Sequence, residues 1–246
     1  MKKTNRIVRP LICLAAIVLI AVIGCTVYLS GYYHADTNVI DMYTSESNIV
    51  SQQFGRNATA YMPENPSAAF IFYPGGKVEH TAYEPLMTAC AERGILCVLV
   101  KMPGNLAVLD INAAEDLFLL FPDIENWYIG GHSLGGSMAA SYAAENFGNL
   151  KGLILLAAYS TENLTSTSLD VLSVYGSEDH VLNVEKYKKY RANLPEDFSE
   201  IIIEGGCHAG FGMYGRQNGD GIPTISSGEQ ILITAEKISG FILGNK

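Results

Sequence analysis

Three short stretches of this sequence carry residue types able to do nucleophilic chemistry. Gly131-His132-Ser133-Leu134-Gly135-Gly136 follows an apolar run, Trp127 to Gly130, and precedes a small-residue segment, Ser137 to Glu145. A G-x-S-x-G pentapeptide between a strand and a helix is the setting of a nucleophile elbow. There the serine sits on a strained turn and glycines avoid collision with neighbouring backbone. A serine hydroxyl is a weak nucleophile and needs a base within hydrogen-bond reach and an acid to orient that base. Gly176-Ser177-Glu178-Asp179-His180-Val181 offers acids directly after an apolar run, and Glu204-Gly205-Gly206-Cys207-His208-Ala209-Gly210-Phe211 offers a histidine in a loop before the last helical segment. Ser133, Asp179 and His208 are thus the expected nucleophile, acid and base, with Glu178 the other acid available. Of the remaining histidines, His34 adjoins the apolar N-terminal segment, His80 follows the glycine loop after Ala68 to Tyr73, well before the serine, and His180 shares the loop of the acid. His132 is the variable residue of the pentapeptide, expected to point away from the chemistry. An oxyanion formed on attack needs preorganised N–H donors. Leu134, at the start of a helix, is one, since N–H groups there are free and the dipole favours negative charge. The loop Pro74-Gly75-Gly76-Lys77 supplies the second, with Gly76 ahead of Lys77.

These residues must be held by a framework. Strand candidates run Asn48 to Gln53, Thr59 to Met62, Ala68 to Tyr73, Ile95 to Val100, Trp127 to Gly130, Leu153 to Ala157, Val171 to Tyr175 and Glu200 to Ile203. Several are apolar enough to be buried on both faces. Helical stretches fall at Thr81 to Arg93, Asn112 to Leu120, Leu134 to Phe147, Val184 to Leu194 and Ser227 to Leu243, the last opened by a capping box, Ser226 with Glu229. Alternation of strand and helix gives a mostly parallel central sheet with helices on both faces, because parallel strands need crossover connections.

YPGGKVE (73 to 79), GGHSLGG (130 to 136), GSED (176 to 179) and GGCHAGFG (205 to 212) resemble the α/β-hydrolase superfamily, and more narrowly its dienelactone-hydrolase-like, carboxylesterase-type branch. The resemblance runs from about Ala68 to the final helix and implies an α/β-hydrolase fold and serine-dependent hydrolysis. Dienelactone hydrolases proper use a cysteine nucleophile, whereas this sequence has Ser133, so lactone chemistry is not implied. The superfamily often inserts a helical cap where this chain has only Ala158 to Asp170. A minimal cap or none is expected, with Gly210 to Gly221 forming the pocket wall.

The chain holds 16 Lys and Arg against 25 Asp and Glu. Four of the basic residues, Lys2, Lys3, Arg6 and Arg9, precede an uncharged run from Leu11 to Tyr33, so the rest is strongly acidic. That balance excludes a nucleic-acid backbone as partner, since binding one requires a basic surface. The run is long enough to span a bilayer. It is expected to be a retained signal-anchor within residues 1–33, followed by a linker at 34–47 and a catalytic domain at 48–246. The basic flank places the N-terminus in the cytoplasm and the domain outside. A lipoprotein signal ending at Cys25 and a cleaved signal are the alternatives. Cys13 and Cys25 fall in the apolar run; Cys90, Cys97 and Cys207 make neither a complete disulfide framework nor a C-x-x-C metal signature, and a Cys90 to Cys97 bridge stays open. The expected activity is cleavage of small-molecule carboxylic esters with no metal and no cofactor. An acyltransferase or thioesterase using the same residues is an alternative, as is a binding module on a hydrolase fold. Neither acyl group, alcohol nor oligomeric state is legible.

Overall fold

The computed structural model describes residues 4–244; Lys2 and Lys3 of the basic flank, and Asn245 and Lys246, lie outside the described residues. The chain divides after Tyr32 into two compact units. The first is a helix, α1 (Thr4–Ser30), whose segment Leu11–Ser30 is 20 residues long and nearly all exposed. By length and composition it suffices to cross a membrane.

The second unit is built on eight strands: β1 (Val50–Phe54), β2 (Ala58–Met62), β3 (Ala68–Tyr73), β4 (Ile95–Val100), β5 (Asn126–His132), β6 (Gly152–Leu156), β7 (Asp170–Gly176) and β8 (Ser199–Ile203). They lie in the order β1-β2-β4-β3-β5-β6-β7-β8. β1 and β2 pair antiparallel, as do β2 and β4, and every later pairing is parallel. Strand periodicity sends alternate residues to opposite faces, and both faces are covered. Phe70, Phe72, Cys97, Leu99, Ile154, Leu156, Leu172 and Val174 pack under α2 (Thr37–Thr44), α3 (Glu84–Ala91) and α6 (Ser227–Leu243). Ala69, Ile71, Leu96, Val98, Ile129, Leu153 and Leu155 pack against α4 (Leu134–Asn146), whose Ala139, Ala140 and Ala143 are fully buried. A short helix, α5 (Val184–Tyr190), follows β7. The expected capping box at Ser226 is present.

Two expected elements differ. Asn112 to Leu120 is not an α-helix but turns ending in a 3-10 turn, Leu117–Leu120. The segment closes at three-residue spacing instead, the N–H groups of Ala113, Glu115 and Leu117 donating to the carbonyls of Asp110, Asn112 and Ala114, and the buried Tyr73 hydroxyl donates to the Ile111 carbonyl (2.8 Å) and accepts from the Ala114 N–H (2.9 Å). Residues 34–47, expected to be a linker, are folded onto the domain. Tyr33 forms a parallel bridge with Val78, its N–H donating to Lys77 and its carbonyl accepting from Glu79 (2.8 and 2.9 Å). α2 follows, capped by Asp36, with Ile40 buried and the Tyr43 ring over Gly228. Eight residues with one buried position leave no periodicity to read. Cys90 and Cys97 are both free and buried, so the bridge left open from sequence is not made.

A chain beginning at Asn48 loses the Tyr33 bridge and the burial of Ile40, which is worth about 1.5–3 kcal/mol for such a side chain. It is expected to melt about 5–10 °C below one beginning at Tyr33, as circular dichroism melting of the two checks.

Candidate active site

The Gly-rich turn after β5 is shaped by backbone contact. A Cβ on Gly131 or Gly135 would land on the carbonyl oxygen of Tyr73, and Gly135 would also strike that of Pro74; one on Gly136 would strike Gly131. With α4 seated this close to β3 and β5, the chain reverses at one residue, and Ser133 takes φ +52°, ψ −121°. This is a conformation that costs a non-glycine residue on the order of 1–3 kcal/mol. The Ser133 N–H donates to the Leu156 carbonyl at the end of β6 (2.9 Å), pinning the turn to the sheet.

Asp179 and His208, 29 residues apart in sequence, meet at the carboxyl ends of β7 and β8. The His208 Nδ1–H donates to Asp179 Oδ2 at 2.8 Å, and both side chains are buried. The other carboxylate oxygen of Asp179 accepts the N–H groups of Val181 (2.9 Å) and Leu182 (2.7 Å), so the acid is fixed as well as the base. Glu178 stays apart and accepts from the Ser177 hydroxyl instead. Ser133 and His208 line one pocket of about 240 Å³, walled by Leu134, Ser137, Ala157 to Tyr159 and Val181 to Asn183. His208 Nε2 is buried without a hydrogen-bond partner.

The wall is therefore not the expected Gly210 to Gly221 loop. The first half of that loop turns inward, where Phe211, Met213 and Tyr214 join the core beside α6. Ala158 to Leu169 contains neither helix nor strand, so no cap domain is present, as expected.

At Gly76, a Cβ would meet the Leu134 side chain. Lys77 N–H is taken by the Asn105 carbonyl (2.7 Å), and Gly75 N–H by the Tyr83 hydroxyl (3.1 Å), whereas Gly76 and Leu134 N–H make no hydrogen bond among the described residues.

His132 departs from expectation. Its ring does not point away but lies buried with its centroid 4.5 Å from that of His208. The pattern G-x-S-x-G says nothing about the variable side chain, and only the turn before α3, which carries Tyr83, reveals its partner. The Tyr83 hydroxyl accepts from the Gly75 N–H (3.1 Å) and shares a hydrogen bond with His132 Nδ1 (2.8 Å). Burial, and then the adjacent His208 imidazole, push His132 well below the ordinary histidine value. Three residues here carried no sequence signal: Tyr83, Asp220 and Gln230. Gln230 grips Cys207 on both sides, accepting from its N–H (2.9 Å) and donating to its carbonyl (2.8 Å). Asp220 accepts the N–H groups of His208, Ala209, His180 and Gly221. Burial alone would raise the Asp220 carboxyl, but these four bonds outweigh it and hold it below the usual carboxylate value.

Residues 69–232 match the Alpha/beta hydrolase family, and the chain belongs to that family. Among solved structures, it is similar to a predicted CIB-like hydrolase from Thermoplasma acidophilum, with a TM-score of 0.59 at 17% identity over 78% of this chain and 100% of that one. It is also similar to TT1662 from Thermus thermophilus, with a TM-score of 0.58 at 17% identity over 80% and 98% of the two chains. At that identity both likenesses bear on the fold. No curated protein sequence matches the chain significantly.

His132 yields a pH prediction. Its proton affinity is depressed in the folded chain, so the unfolded chain, with histidines near about 6.5, takes up a proton that the folded one refuses. The neutral, folded form keeps its full stability above that value and loses it as pH falls below. His132→Asn, which keeps a hydrogen-bonding group toward Tyr83 but cannot titrate, is expected to flatten this part of the profile, as urea midpoints at about pH 8 and about pH 5 would show.

Proposed function

We propose that this protein is a membrane-tethered serine hydrolase that cleaves carboxylic esters through an acyl-enzyme on Ser133, with His208 as base and Asp179 as the acid that orients it. The observation carrying this reading is the condition of His208. One ring nitrogen is bound to a fixed carboxylate, while the other is buried, unpartnered and in the same pocket as a strained serine.

The chemistry follows from that arrangement. Ser133 Oγ attacks the ester carbonyl carbon as His208 Nε2 takes its proton, and Asp179 stabilises the resulting imidazolium and fixes its tautomer. The carbonyl π-electron pair moves to oxygen, where the N–H groups of Leu134 and Gly76 receive it. Between the two candidates in the glycine loop, Gly76 is favoured because the Lys77 N–H is already engaged. Collapse expels the alcohol, which takes the proton from His208, and water then releases the acid by the same steps. None of these steps calls on a cofactor. The apolar α1 and its basic flank support retention in the cell membrane with the domain outside.

A fluorophosphonate is expected to label Ser133, located by peptide mapping, and Ser133→Ala to lower ester kcat/KM by roughly 10⁴–10⁶-fold. Asp179→Asn should cost roughly 10⁴-fold in kcat. Glu178→Gln, which disturbs no bond to His208, should stay within a few-fold; equal losses in the two variants would contradict the choice of acid.

Substrate size follows from the pocket. Its 240 Å³ are bounded by short loops and the small side chains Ala157 and Ala158, and a methylene gains about 0.8 kcal/mol only where it finds an apolar wall. For p-nitrophenyl esters, kcat/KM is expected to peak at acyl chains of roughly two to six carbons, with no increase in rate at the critical micelle concentration. A profile rising to long chains would contradict this.

A further inference from the structure

We infer that Asp220 is the positioning residue for His208, a carboxylate whose role is to gather the backbone of the loops that carry the base and the acid. The inference rests on the assignment of His208 as general base. Four N–H groups from three separate segments converge on this one side chain. Oδ1 accepts from Gly221 (2.9 Å), His208 (3.2 Å) and, more weakly, His180 (3.4 Å), while Oδ2 accepts from Ala209 (2.8 Å). Among the described ion pairs none involves Asp220. This half-buried carboxylate is therefore balanced by amide dipoles and not by a cation.

Placement makes the consequence specific. Cys207 is gripped by Gln230 from α6, and the next two residues, His208 and Ala209, by Asp220, so the backbone is held on both sides of the imidazole. The same carboxylate reaches His180, the residue after Asp179, and thereby joins the loop of the acid to the loop of the base. Asp220 itself is not among the residues lining the pocket. It sets where His208 Nε2 stands relative to Ser133 without taking part in a proton transfer.

Asn at this position cannot reproduce the arrangement, because its NH₂ group must face N–H donors on one side. A displacement of about 1 Å in a reacting group costs on the order of 10²-fold in rate. In the full chain purified in detergent, Asp220→Asn is expected to lower kcat for a short p-nitrophenyl ester by roughly 10–100-fold, with KM within about twofold. Fluorophosphonate labelling of Ser133 should slow in parallel. Asp220→Ala should lose more, and Asp220→Glu, which keeps the charge, should recover part of the rate. Ser226→Ala, which removes the cap of α6 and touches no pocket residue, supplies a variant for comparison at matched melting temperature. A loss of kcat no larger than in that comparison, or a rise in KM with kcat kept, overturns the inference.

Should the Asn and Ala variants fail to fold, amide exchange in the unaltered chain decides: His208 and Ala209 must be protected to the degree of Cys207, and exchange at the rate of an open loop overturns the role. If Ser133 is not labelled in the unaltered chain, the hydrolase reading itself fails. If it is labelled and Asp220→Asn is unaffected, only the positioning role does.

Discussion

The carbonyl oxygens of Tyr73 and Pro74 occupy the space where side chains at Gly131 and Gly135 would otherwise be, and this contact between backbones governs the rest of the structure. It brings the first turn of α4 against the ends of β3 and β5, and at that separation the chain can reverse only through a residue in a strained conformation. That residue is Ser133. The alanines of α4 continue the same close approach down the sheet, while on the opposite face larger side chains of α3 and α6 fill a deeper layer. The sheet is thus packed tightly on one side and thickly on the other, and the reversal falls at its carboxyl end, where pockets of open α/β sheets form.

Around this turn the polar groups are organised by a second rule, that a buried donor or acceptor must be paired or costs free energy. Asp179 has three partners, Tyr83 links Gly75 to His132, and Gln230 satisfies both backbone groups of Cys207. Against that background, the unpaired nitrogens stand out: among the described residues, the buried side-chain atoms lacking a partner are the Nε2 atoms of His132 and His208, whose rings are adjacent. Unsatisfied groups therefore collect at one point, beside the serine. The proposed chemistry uses one of them, and the neutral form of His132 keeps a second positive charge away from the imidazolium that would form there.

Much of this framework was legible because it depends on local pattern. Apolar runs such as Ala68 to Tyr73 and Ile95 to Val100 mark strands buried on both faces, and the glycines around Ser133 mark the close approach. What could not be read was created by side chains that override local preference. The Tyr73 hydroxyl, 38 residues before Ile111, holds the backbone at Ile111 and Ala114, a contact that no pattern within Asn112 to Leu120 signals. His132 turns inward because Tyr83, 49 residues earlier, offers it a hydrogen bond. Asp220 lies in a Gly-Asp-Gly turn whose composition reads as an exposed loop, and nothing in its neighbours signals that three amides from elsewhere, those of His180, His208 and Ala209, will meet there. The inward course of Phe211 to Tyr214 likewise depends on contacts with α6 that spacing does not encode.

The bridge at Tyr33 has a mechanical meaning. Two backbone hydrogen bonds, to the Lys77 carbonyl and from the Glu79 N–H, run across the chain direction, so a pull along the chain at Tyr33 loads them in shear and together instead of peeling them in turn. Lys77 is in turn tied to Asn105, and Gly75 to Tyr83, which spreads such a load over the loop and the wall behind it. The Asp36 N–H bond to Met213 carries a further share into the segment that follows His208. Under the proposed tether, the load of the mooring would fall on this braced corner, and Gly76 sits inside the brace.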